Sequence, residues 1–205
     1  MSISRLIPRG FYQACLGVTL TTLTILTSAT SAQSQTRRIQ ISDDTDIQAL
    51  FDLVYRPGQD PQRFQLQGPE EKEAYALLTT ILQTGTEVYL RSSQDGNYGS
   101  YNVTQDVLVL RPSAVAHWGI FLETLRHEGW HIVQACFAAG QGANTLMPVG
   151  LQVSRRTMLN LRQNHSYAPE EIPVEAEAFE AENYSNLTLQ GLQKECAPWL
   201  KGEVK

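Results

Sequence analysis

His127-Glu128-Gly129-Trp130-His131 sets two imidazoles four residues apart around a glutamate. On an α-helix this spacing leaves the rings about 40° apart in azimuth and one turn apart along the axis, so both reach one ion. Zinc takes imidazole nitrogen at about 2.0 to 2.1 Å, and its catalytic sites use three protein ligands with a fourth position left for water. Glu128 is offset by about 100° from His127. Its carboxylate therefore stands beside the ion, placed to take a proton from bound water and not to coordinate. With only 4 His in the chain, the pattern is expected about 0.005 times by chance, which makes the histidine pair the most specific chemical signal present.

A tetrahedral site needs a third protein ligand, and acids are densest in Pro173-Val174-Glu175-Ala176-Glu177-Ala178-Phe179-Glu180. Glu175 is the favoured candidate. It shares a helix face with Ala178, Phe179 and Glu182, and the small Ala178 lets that face approach the histidine helix closely. Glu177 lies on a different face with Glu180 and Ala181, and spacing alone leaves it a competitor. His165 and Tyr167, in the loop before Glu175, are candidate donors to a transition-state oxyanion. His117 reads as a helix-start residue, and Trp118 and Trp130 as core or rim aromatics.

These groups need a scaffold. Ile47, Leu50, Phe51, Val54 and Tyr55 recur at helical spacing until Arg56-Pro57-Gly58, and a second helix is expected from Pro69 to Gln83. Glu87 to Arg91 and Val107 to Leu110 are short β-rich runs that predict a hairpin or meander. The longest apolar-periodic stretch, Ala114 to Ala138, carries the His-Glu-x-x-His segment and stops at Gly140 and Gly142. Further helices are expected over Met147 to Gln163 and Val174 to Leu192. The sum is an α+β fold, mostly helical, with a short β element before the histidine helix.

Arg126 to His131, followed by Pro173-x-Glu175-x-Glu177-Ala178, resembles the gluzincin branch of the zincin metallopeptidases. Gly99-Ser100-Tyr101 with Val107 to Leu110 is similar to the strand that zincins place beside the active-site helix to bind substrate backbone. The resemblance spans about residues 87 to 183. It implies a small zincin-like fold, a peptide or protein substrate, Zn2+ held by His127, His131 and Glu175, and Glu128 as general base. One departure matters. Gluzincins commonly carry Asp or Asn four residues beyond the third ligand to support a metal-bound histidine, and Phe179 stands there. The metzincin pattern is excluded, because Gln134 and Phe137 replace its glycine and third histidine.

Residues 1 to 32 read as a signal peptide: Arg5 and Arg9, a mostly apolar Ala14 to Leu26, and Thr30-Ser31-Ala32 before the cut. Its removal leaves a polar, flexible lead-in over 33 to 46 and a single domain over 47 to 205. Cleavage also removes Cys15, leaving Cys136 and Cys196 to pair in an oxidising compartment. The expected product is a secreted or periplasmic zinc-dependent hydrolase with no membrane anchor after cleavage. An inactive zincin-derived binding or structural protein is the alternative. The net charge of −5 and the lack of a Lys/Arg cluster argue against nucleic acid as a partner.

Overall fold

The computed structural model describes residues 38–54, 68–91, 97–163 and 167–203. The signal-peptide reading, the Arg56-Pro57-Gly58 breaker and His165 lie outside them. Strand β1 (Ile39–Ile41) is followed by helices α1 (Asp44–Leu53) and α2 (Pro69–Gln83), then by strands β2 (Glu87–Leu90), β3 (Gly99–Asn102) and β4 (Val107–Leu110). Helices α3 (Pro112–Val115), α4 (Trp118–Gly140), α5 (Arg155–Gln163), α6 (Ile172–Ala181), α7 (Leu187–Glu195) and α8 (Ala197–Leu200) complete an α+β fold. Among the described residues, no helix is long and apolar enough to cross a membrane.

Order begins earlier than the sequence reading places it. Ile39–Ile41 pairs antiparallel with β2, and Asp43 caps α1 by accepting from the Thr45 and Asp46 amides at 2.8 and 3.0 Å. Only three residues long, β1 shows too little alternation to stand out from the polar stretch around it.

The sheet order is β1-β2-β4-β3, with β2 and β4 parallel and β3 antiparallel to β4. The hairpin or meander expected from Glu87 to Arg91 and Val107 to Leu110 is corrected: those two runs lie parallel, and the antiparallel hairpin is formed by β3 and β4. Hydropathy explains the order: Glu-Val-Tyr-Leu and Val-Leu-Val-Leu take the buried centre, while Gly-Ser-Tyr-Asn is left at the edge. Val88, Leu90, Leu108 and Leu110 face the helices, where Phe51, Trp118 and Phe121 pack edge-on or tilted with ring centroids 5.5 to 5.9 Å apart.

Helix α4 runs through the centre of the helical layer. The expected start at Ala114 is corrected, because α3 ends before His117 and extended backbone at His117 (φ −142°, ψ 124°) begins a new helix. Its end is a Schellman turn, with Ala143 and Gly142 amides donating to Ala138 and Ala139 carbonyls and Gly142 at φ +79°. Close approach fixes the contact with α7: a methyl on Gly129 would lie 2.9 Å from Thr188 Cγ2, and one on Gly191 2.9 Å from the Trp130 ring. Cys136 and Cys196 stand in disulfide-bonding geometry, Cα atoms 5.1 Å apart, tying α4 to the end of α7.

Two expected helices are shorter than predicted. Met147 to Ser154 is not helical, because its amides are taken by carboxylates of α6: Glu177 accepts from Val149, Gly150 and Leu151, and Glu180 from Ser154. The stretch Val174 to Leu192 breaks between α6 and α7. There Arg126 donates to the Glu182 carbonyl at 3.1 Å, Glu73 accepts from the Asn186 amide at 2.7 Å, and Asn186 turns to φ 60°. Arg126 and Glu73 form a bidentate, nearly buried pair.

Candidate metal centre

The length of α4 delivers His127 and His131 to one face, and α6 crosses that face with Glu175 in its first turn. Ala178, fully buried, stands where a larger side chain would hold the helices apart. The two imidazoles meet edge to face with centroids 5.0 Å apart. Nε2 of His127 lies 3.5 Å from one Glu175 oxygen and Nε2 of His131 lies 3.5 Å from the other. Ligand atoms of all three fall within 4.8 Å of one another, a cluster that could hold a metal ion.

The Nδ1 atoms are occupied from behind. Gln134 donates through Nε2 to the Val174 carbonyl at 2.9 Å and to Glu177 at 3.1 Å, which fixes its Oε1 as an acceptor. Oε1 lies 2.8 Å from His131 Nδ1, so the proton of that ring sits on Nδ1 and the Nε2 lone pair points into the cluster. His127 Nδ1 lies 3.2 Å from Glu182 Oε2, which directs its Nε2 the same way. The support absent at Phe179 therefore comes from Glu182, one turn further along, while the Phe179 ring packs 4.5 Å from that of His127. Both partners were legible only as spacings: Glu182 shares the face of Glu175, and Gln134 follows His131 by three.

Glu177 belongs elsewhere. Only 3% exposed, it accepts from the amides of Val149 (2.8 Å), Gly150 (2.6 Å) and Leu151 (2.8 Å) and from the Gln134 amide. The Trp130 indole adds a longer contact at 3.4 Å. A buried carboxylate so enclosed satisfies itself with chain and not with an ion. Of the two competing glutamates, the one beside the histidines is Glu175.

Glu128 is buried next to the cluster. Burial and the Glu175 charge raise its pKa to about 7; the charge of His127, a hydrogen bond from the Tyr101 amide and the nearby Arg111 pull the other way. Strand β3 comes this close because residue 99 is glycine: a Cβ there would sit 2.6 Å from Thr124 Cγ2 and 3.0 Å from Glu128 Cγ. For His127, burial opposes the charged form, but Glu175, Glu182 and Glu128 outweigh it and raise the pKa to about 10. For His131, burial and the charge of His127 lower it to about 4. Hydrogen bonding and charge from the histidines keep Glu175 below the usual carboxylate range despite its burial.

Tyr167 reaches the same region, its ring 6.2 Å from Phe179. Burial and the charges of Glu175, Glu128 and Glu182 raise its phenol to about 12, so it stays protonated and able to donate. His117 is at the N-terminus of α4, ten residues from His127, and is not part of the cluster. Trp118 and Trp130 are core aromatics whose indole N–H groups meet Glu70 and Glu177. Comparison of the chain with protein-family models, with curated proteins and with solved structures finds no match.

Proposed function

We propose that this protein is a secreted zinc-dependent hydrolase, a metallopeptidase of gluzincin type, with His127, His131 and Glu175 as ligands and Glu128 as general base. The observation that carries the reading is the convergence of both Nε2 atoms on one carboxylate at 3.5 Å, beside a buried glutamate. Metal bonds of about 2.0 to 2.1 Å place the corners of a tetrahedron about 3.3 Å apart. Two imidazoles and a carboxylate with fixed outer hydrogen bonds suit zinc in kind as well as in spacing. When bound, zinc would supply a Lewis acid and lower the pKa of water toward 7.

The chain's own groups do the rest. Glu128, buried beside the cluster, is placed to accept a proton and return it to the leaving amine. Strand β3 packs against Glu128 at Gly99, and Tyr167 is within electrostatic reach as a phenolic donor. Strand β3, at the edge of the sheet and against α4, offers backbone for a peptide to pair with. Export follows from residues 1 to 32 and is consistent with a disulfide between Cys136 and Cys196.

Metal analysis of purified protein tests the reading, with one zinc per chain expected. Glu128→Gln should keep that zinc while abolishing hydrolysis of a protein substrate. Protein without zinc, or a Glu128→Gln variant as active as the parent, would end it; zinc without hydrolysis in the parent would favour a binding or structural role.

A further inference from the structure

A cavity of about 390 Å³ opens between the β3–β4 hairpin, the second half of α4 and the chain that follows it. One side is apolar, with Ile132, Ala135 and Trp199; the other carries Thr86, Tyr101 and Asp106. Asp106 Oδ1 accepts from the Thr86 hydroxyl at 2.7 Å and from the Tyr101 phenol at 3.0 Å. Both hydrogen bonds use the same oxygen, and among the described residues none goes to Oδ2. Asp106 sits at φ 51°, a conformation that Asn and Asp adopt more readily than other side chains. A neutral residue would serve the turn as well, so the charge is available for another purpose.

Strand β3 connects this cavity to the candidate metal centre: Gly99 packs against Glu128, and, two residues on, the Tyr101 phenol reaches Asp106. On the helix side, Ala135 follows His131 by one turn, about 6 Å along the axis. That is about two residues of an extended peptide. We propose that the cavity is a substrate subsite that takes a lysine or arginine side chain two or three residues from the scissile bond. The aliphatic stem lies on Ile132, Ala135 and Trp199, and the cationic head meets Asp106 and its hydroxyl neighbours. The inference rests on the peptidase reading, and it adds a substrate class to it.

The test uses zinc-loaded protein and fluorogenic peptides in which one position at a time, on each side of the scissile bond, is arginine, norleucine or glutamate. Arginine at one position should raise kcat/KM over norleucine on the order of tenfold, mainly through KM. Asp106→Asn, which keeps the acceptor for Thr86 and Tyr101, should remove that advantage and leave the norleucine peptide unchanged. Ala135→Leu, which narrows the cavity, should weaken arginine peptides selectively at unchanged melting temperature. Cleavage without arginine preference, or a preference indifferent to both substitutions, overturns the subsite. A parallel titration of the arginine and norleucine peptides against zinc-loaded Glu128→Gln separates the two claims. Asp106-dependent binding without cleavage by the parent would sink only the peptidase reading, and equal binding of both peptides would sink the subsite.

Discussion

Gln134 Oε1 lies 2.8 Å from His131 Nδ1 while the amide end of the same side chain is held by Val174 and Glu177. The tautomer of a candidate metal ligand is thus set by a residue on its own helix, and that residue is oriented by α6. Gln134→Ala should lower metal affinity by about 10- to 100-fold, as loss of such partners commonly does. Gln134→Glu removes the two donors and should place a charge against Glu177. Competition with a chromophoric chelator measures both, and unchanged affinity in Gln134→Ala would show that His131 needs no such support.

Glu175 and Glu177 should fail differently. Glu175→Ala is expected to lose the metal with a modest change in unfolding free energy. Glu177→Ala keeps all three ligands but leaves three backbone amides without their acceptor, at about 1 to 3 kcal/mol each if they stay dry. Denaturant titration of the two metal-free variants should therefore rank Glu177→Ala as the less stable by on the order of 3 kcal/mol. The reverse order would mean that the 149–151 segment finds water readily.

Gly99→Ala should push β3 away from α4, since the added methyl meets Thr124 Cγ2 at 2.6 Å. A cost of about 1 to 3 kcal/mol is expected from such overpacking. Hydrolysis should fall further than metal content does, because Glu128 is the other neighbour. Adding Thr124→Ser, which deletes the opposing methyl, should restore part of both losses; no rescue would place the strain elsewhere.

Reduction of Cys136–Cys196, or Cys196→Ser, should lower stability by about 4 kcal/mol on the loop-closure model for a separation of 60 residues. Urea unfolding with and without reductant reads this directly.

Acid should loosen the chain ahead of α5. Burial raises the Glu180 pKa, but bonds from the Thr157 hydroxyl, the Ser154 amide and the Tyr184 phenol lower it by more, so the net folded value is below 4.5. A depressed carboxylate contributes stability above its unfolded pKa, and that contribution disappears as pH falls through the folded one. Hydrogen exchange at the Ser154 amide should therefore show lower protection at pH 3 than at pH 6, and Glu180→Gln should flatten the difference.

What could be read in the chain was whatever its neighbours in sequence decide. The bounds of α2 and the stop of α4 follow from Pro69, Gly140 and Gly142 and from apolar period. The order of strands and the course of residues 147 to 154 depend on partners distant in sequence. Nothing local to Val149 or Leu151 announces a carboxylate 26 to 28 residues away. The same holds for the site: the histidines are visible as spacing and the face shared with Ala178 favours Glu175, whereas setting Glu177 aside required knowing which amides its carboxylate meets.

Because Glu177 grips successive amides and no side chain of that segment, the hold is indifferent to what Val149 and Leu151 are and sensitive only to whether each still has an N–H. Relatives of this protein should accordingly keep apolar side chains at 149 and 151, which pack against the core, and exclude proline from both. Position 150, at φ +95°, should keep glycine. Such a pattern would mark a segment held by its backbone amides as much as by its side chains.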